Sequence, residues 1–192
     1  MKWFHHLGIG QGPRLGALVA IVAMVSGCVA LDQRGIQELE RAYGANPPKI
    51  EASFASRIVA AGDTWRVYIR GSDPDGDLRF LNVSLWMATA VMTPIRLEVS
   101  PEHSRAISGY ITLDTNRFSG GFLRLTPGEI RLYVALEDRA GHRSDLSVHD
   151  TSLILGAKQE RPAPGAFEER YLGSVPLEFL MQGGMGASPS WP

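Results

Sequence analysis

Leu81-Asn82-Val83-Ser84-Leu85-Trp86-Met87 sets the rhythm of this chain, and Thr64-Trp65-Arg66-Val67-Tyr68-Ile69-Arg70 keeps it just upstream. A period of two puts Leu81, Val83, Leu85 and Met87 on one side of an extended backbone and Asn82, Ser84 and Trp86 on the other. The pattern recurs at Ile95, Leu97 and Val99. It recurs again at Ile107, Ile111 and Leu113, opposite Ser108, Tyr110 and Thr112. Ile130, Leu132, Val134 and Leu136 then oppose Arg131, Tyr133, Ala135 and Glu137. Strands with one apolar and one polar side belong in antiparallel sheets with one face buried. Turn clusters separate them: Ala61-Gly62-Asp63, Asp73 to Asp77, Thr93-Pro94, Asn116 to Gly121, Thr126-Pro127-Gly128 and Arg139-Ala140-Gly141. A turn every 10 to 15 residues or so, with no long helical pattern between, predicts an all-β sandwich of about seven antiparallel strands over residues 48–156. Leu146 and Val148 are out of phase with Leu153 and Leu155, which predicts a bulge or bend near Asp150.

Composition narrows the function classes. In 192 residues, 19 Lys and Arg face 20 Asp and Glu, for a formal charge of −1. No basic footprint exists for nucleic acid. Hydrophobic residues make up 44%, enough for one core, and the 21 Gly and 12 Pro suit a turn-rich fold. The single cysteine rules out an internal disulfide and a cysteine-based metal cluster.

That cysteine closes the amino-terminal segment. Lys2 and Arg14 precede an uncharged run from Leu15 to Val25, and Val25-Ser26-Gly27-Cys28 follows as an aliphatic residue, two small ones and a thiol. The run of 11 residues is short of the roughly 20 that span a bilayer. The tetrapeptide resembles the lipobox of bacterial lipoproteins. The resemblance implies that residues 1–27 are a cleaved signal peptide and that Cys28 carries a diacylglycerol and an acylated amino terminus, two or three chains that anchor stably. Val29 stands where an inner-membrane retention Asp would, which points to the outer membrane facing the periplasm in a diderm source. The mature chain would hold 17 basic against 20 acidic residues, so no polybasic patch assists the lipid.

Residues 28–47 read as a lipidated tether. Ile36, Leu39 and Tyr43 fall at helical spacing within Gln33–Tyr43, and Gly44 and Pro47-Pro48 end that helix. Residues 157–192 form a Pro/Gly-rich tail, partly disordered by composition, with Gln182-Gly183-Gly184-Met185-Gly186 as its loosest run. Phe167 to Leu180 is too apolar for plain linker: it either docks on the sandwich or binds a partner.

Three segments of the central region carry a second likeness: Gly71-Ser72-Asp73-Pro74-Asp75-Gly76-Asp77, Leu125-Thr126-Pro127-Gly128-Glu129 and Glu137-Asp138-Arg139-Ala140-Gly141-His142-Arg143-Ser144. They resemble bacterial immunoglobulin-like modules of the fibronectin type III, PKD and cadherin-like kind, which implies an Ig-like β-sandwich. Two features depart from antibody domains: no cysteine pair bridges the sheets, and Trp86 sits on the outward phase.

The richest chemistry lies in the acidic turn. In an Ig-like sandwich the loop holding Asp73, Asp75 and Asp77 shares one end with the loop after the sixth strand, which brings Asp138, and Asp145 with it, toward the three carboxylates. Four carboxylates with carbonyls and water suit Ca²⁺, which takes six to eight oxygens. The spacing is not that of an EF-hand, since Gly76 comes fourth and Ser84 replaces the closing Glu. The same residues also read as a tight turn, with Pro setting φ, Gly taking φ > 0 and Asp capping amides. His103, His142 and His149 lack metal-ligand spacing and read as surface polar residues. Arg66, Tyr68, Arg70, Trp86 and Tyr133 lie on outward phases and read as an interaction face, or as solvated cross-strand charge. No nucleophile–base pair at recognisable spacing occurs. The expectation is a non-catalytic, membrane-anchored lipoprotein with no cofactor other than Ca²⁺ at the acidic turn, contacting an envelope protein or polymer. The alternatives are a spacer or assembly subunit of a secretion or pilus-type machine, and an enzyme accessory or hydrolase.

Overall fold

The computed structural model describes residues 35–60, 62–87, 90–92, 94–115, 129–154, 156–176 and 179–181. The signal segment 1–27, Cys28 with Val25, Ser26 and Gly27, the turns at 116–121 and 126–128, and the run 182–186 lie outside the described residues. Two sheets pack face to face. One runs β1 (Lys49–Ala55), β3 (Thr64–Ser72), β7 (Ala106–Asp114) and β10 (Tyr171–Val175). The other runs β11 (Phe179–Met181), β5 (Ala90–Met92), β4 (Leu78–Met87), β8 (Glu129–Asp138), β9 (Ser147–Leu153) and β2 (Ile58–Val59), with β6 (Ile95–Glu98) also on β4. The fold is the expected all-β sandwich. Of the longer strands in the 48–156 region, β1, β3 and β7 share one sheet and β4, β8 and β9 the other.

The alternation marks the core. Trp65, Val67 and Ile69 of β3, Ile111 and Leu113 of β7, Val83 and Leu85 of β4, and Leu132, Val134 and Leu136 of β8 are fully buried between the sheets. Each such aliphatic side chain contributes about 1.5–3 kcal/mol relative to exposure.

Several expectations need correction. Among the described residues nine strands lie within 48–156 rather than about seven, because the first strand breaks into β1 and β2 and the partner of β4 into β5 and β6. Buried Ser56 makes the first break: its hydroxyl donates to Ile58 O and accepts from Glu160 N–H, while its carbonyl accepts from Thr151. The chain thereby crosses from one sheet to the other, and β2 runs parallel to β9. A second parallel pair joins β10 to β7, because a long crossing rather than a hairpin delivers β10. No bulge interrupts β9, which pairs with β8 in unbroken register from Ser152↔Glu129 to Ser147↔Val134. The phase slip arises because Leu146 and Val148 are simply exposed, at 44% and 48%, while Thr151 and Leu153 are buried.

Residues 156–176 lie against the first sheet. Gln159 donates to Thr64 O at 2.8 Å, Arg70 donates to Ala166 O at 2.8 Å, and the Phe167 ring sits 5.7 Å from that of Tyr68. Gly109 permits the crossing, since a Cβ there would stand 2.4 Å from Arg170 O. At the other terminus residues 35–43 form a helix, α1, whose Ile36, Leu39 and Tyr43 are 40–43% exposed. Among the described residues no helix is long and apolar enough to cross a membrane.

Candidate functional site

The β3–β4 turn and the end of β8 meet because Leu78 pairs with Asp138 in the sheet. The turn is built from its own residues. Asp73 Oδ1 accepts the amides of Asp75 and Gly76 at 2.9 and 3.1 Å, and Gly76 takes φ +81, a left-handed value that costs a side-chain-bearing residue dearly. Asp77 Oδ2 accepts the Arg139 amide at 3.1 Å. Asp138 Oδ1 accepts the His142 amide, and its Oδ2 meets His142 Nδ1, both at 2.8 Å.

These bonds aim three carboxylates at one point. Asp73, Asp77 and Asp138 are 1%, 8% and 2% exposed, and each offers an oxygen within 4.8 Å of the others'. Asp73 Oδ2 and Asp77 Oδ1 are buried with no hydrogen-bond partner among the described residues. Burial pushes the Asp73 carboxyl up from its usual range, against the pull of the two turn amides, and the charges of Asp77 and Asp138 add to the rise. The arrangement is an electronegative cluster of carboxylate oxygens, and among the described residues no Lys or Arg forms an ion pair with it.

Asp75 is not part of it. Its carboxylate points outward and accepts the Asn46 amide at 2.7 Å and Asn46 Nδ2 at 2.8 Å, which hold it below the usual carboxylate range. Gly44, with φ +122, lets the chain pass: a Cβ there would lie 2.1 Å from Asp75 Oδ2. Asp145, though near in sequence, is exposed and outside the cluster. His142, read from the sequence as a surface residue, instead links Asp138 to α1, with Nε2 3.2 Å from Glu40 Oε1. Burial pulls its ring down, but Asp138 and Glu40 raise it above the usual imidazole range on balance. A signal for this role exists in the sequence: His142 follows Asp138 by four residues around the Arg139–Gly141 turn.

The expected interaction face does not exist as one surface. Arg66, Tyr68 and Arg70 lie on β3 in the first sheet, whereas Trp86 and Tyr133 lie on β4 and β8 in the other, on opposite sides of the sandwich. Alternation separates inward from outward but does not say which sheet a strand joins. Tyr68 is only 4% exposed, walled in by Phe54, Tyr110 and Phe167. Arg66 stacks on the Tyr110 ring and lies 3.6 Å from Glu169, so the tail engages it too.

Glu137, one residue from Asp138, forms a second polar centre that the sequence did not announce. Its 5% exposed carboxylate accepts Asn82 Nδ2 at 3.0 Å and Arg143 Nε at 2.9 Å and is bonded by the Arg96 guanidinium. No protein-family model matches the chain, and no curated protein sequence matches it either.

Proposed function

We propose that this chain is a lipid-anchored, non-catalytic protein of the bacterial envelope, whose sandwich serves as a binding module for another envelope protein or polymer. The observation that carries the reading is the order of Lys2 and Arg14, the apolar run Leu15–Val25 and the lipobox-like Val25-Ser26-Gly27-Cys28, which places the sole thiol where a lipid would be attached. The tether supports it. Six residues, 29–34, separate Cys28 from α1 and can span at most about 20 Å at roughly 3.3 Å each. The tether's inner end is fastened to the sandwich through Asn46–Asp75 and Glu40–His142. The exposed Ile36, Leu39 and Tyr43 on α1 favour a second reading, a spacer or assembly subunit of a larger envelope machine.

Cys28→Ser is the test. The reading expects the variant to leave the membrane fraction, to stop incorporating labelled palmitate and to accumulate as an unprocessed precursor. A variant that is processed and fractionates as before would overturn it.

A further inference from the structure

The three carboxylates at the tether end of the sandwich are short of positive charge. Asp73, Asp77 and Asp138 receive four backbone amides, and among the described residues the one basic side chain bonded to them is the His142 ring on Asp138, which is charged only when protonated. Among the described residues no Lys or Arg forms an ion pair with any of the three; Arg105 reaches only Pro74 O, at 2.9 Å. Burying several carboxylates together without compensation costs several kcal/mol per ion. Such a cluster is relieved in one of two ways: it takes up a proton, or it takes up a cation.

The geometry favours the cation. Two carboxylate oxygens, Asp73 Oδ2 and Asp77 Oδ1, are aimed into the cluster from side chains more than nine-tenths buried and bond to nothing described. A proton shared between two of the acids satisfies one contact and leaves the third charge in place. A cation touches all three at once. Ca²⁺–oxygen distances of about 2.3–2.6 Å keep any two ligands of one ion within about 5 Å, a limit that three oxygens lying within 4.8 Å of one another meet. The donors are hard oxygens only, with no thiolate and no free imidazole nitrogen, since His142 Nδ1 is already committed to Asp138. That set selects Ca²⁺ over zinc or copper, and the irregular, turn-borne shape suits it better than the strict octahedron of Mg²⁺.

We propose that Asp73, Asp77 and Asp138 form a Ca²⁺ site, and that its occupancy stiffens the joint between tether and sandwich. The link is the turn itself. Its central residue, Asp75, holds Asn46 through two hydrogen bonds, so an ion that orders Asp73 and Asp77 on either side also orders the clamp on the incoming chain. The proposal is independent of lipidation: it stands if Cys28 is never modified.

The full chain, purified in detergent and stripped with EDTA, is titrated with CaCl₂ by calorimetry, with MgCl₂ and KCl as controls. The expected result is one Ca²⁺ per chain with Kd of about 10⁻⁵–10⁻³ M, and weaker binding of Mg²⁺. At about a hundred times Kd, Ca²⁺ raises the melting temperature by roughly 5–10 °C. In Asp73→Asn and Asp77→Asn both responses disappear. These variants still fold, because each asparagine keeps the shape and the amide bond of the acid it replaces. Trypsin cleavage after exposed Arg41 on α1 slows at least about fivefold on adding Ca²⁺ to the wild type and is unchanged in the variants. Absence of Ca²⁺ binding, equal heats in wild type and Asp77→Asn, or tighter Mg²⁺ than Ca²⁺ binding would overturn the site. Ca²⁺ binding with unchanged cleavage at Arg41 would overturn its link to the tether.

Discussion

Glu137 and Asp138 are neighbours on β8, both acidic and both almost fully buried, yet their surroundings are opposite. Glu137 faces Asn82 and two guanidiniums, from Arg96 and Arg143, and its charge is matched. Asp138 faces two more carboxylates, Asp73 and Asp77, and their joint charge is not. Alternation along the strand explains how one residue of spacing achieves this. Glu137 points to the outer face, where Arg96 of β6 and Arg143 reach it. Asp138 ends the strand at the loop cluster, where the Asp73–Asp77 turn arrives. A buried carboxylate is therefore no single kind of feature. One is a finished structural contact, the other an incomplete one.

The largest effect expected from breaking this contrast is at the finished contact. Glu137→Ala leaves buried Asn82 without its acceptor and sets two guanidiniums side by side, and should destabilise by about 2–3 kcal/mol in urea denaturation. That is somewhat below a wholly buried pair, since Arg96 and Arg143 are partly exposed. A loss under about 0.5 kcal/mol would mean the carboxylate is dispensable. Next comes the incomplete contact, where the sign reverses. In chelator, Asp77→Asn removes one of three repelling charges and should stabilise by roughly 1 kcal/mol. The same measurement checks it, and a destabilisation beyond error would show that the cluster is already balanced.

Asn46→Ala sharpens the contrast from the outside, and its effect on overall stability is the smallest. Asp75 is held below the usual carboxylate range by Asn46, so its folded form is favoured while ionised. The contribution is complete above the unfolded value near 4 and is lost as pH falls through the lower folded value. In Asn46→Ala the Asp75 side-chain carbonyl, followed by NMR, should titrate at a higher pH than in the wild type. Alanine keeps the backbone amide, the larger of the two causes, so the rise reports the side-chain bond alone, and an unmoved midpoint would remove the Asn46 side chain as a cause.

The sandwich was legible because Leu81, Val83 and Leu85 obey a period that depends only on which side of a strand meets the core. Asp73 and Asp77 were legible for a related reason: Pro74 and Gly76 force a tight turn whose first and last residues face the same way. That geometry sends Asp75 outward, which composition alone does not reveal. The Glu137 centre was hidden because its partners Asn82 and Arg96 lie 55 and 41 residues away on other strands. Tyr68 was misplaced for the same reason. Its strand phase is outward, as read, but Phe167 from the tail covers it, and no local pattern announces a cover from 99 residues downstream.

Melting temperatures of Glu137→Gln and Asp77→Asn, taken side by side in EDTA, test the contrast most directly, because each changes one oxygen to nitrogen and keeps the side chain's shape. Glu137→Gln should melt below the wild type and Asp77→Asn above it. Two shifts of the same sign would contradict the distinction between a satisfied and an unsatisfied acid on adjacent residues.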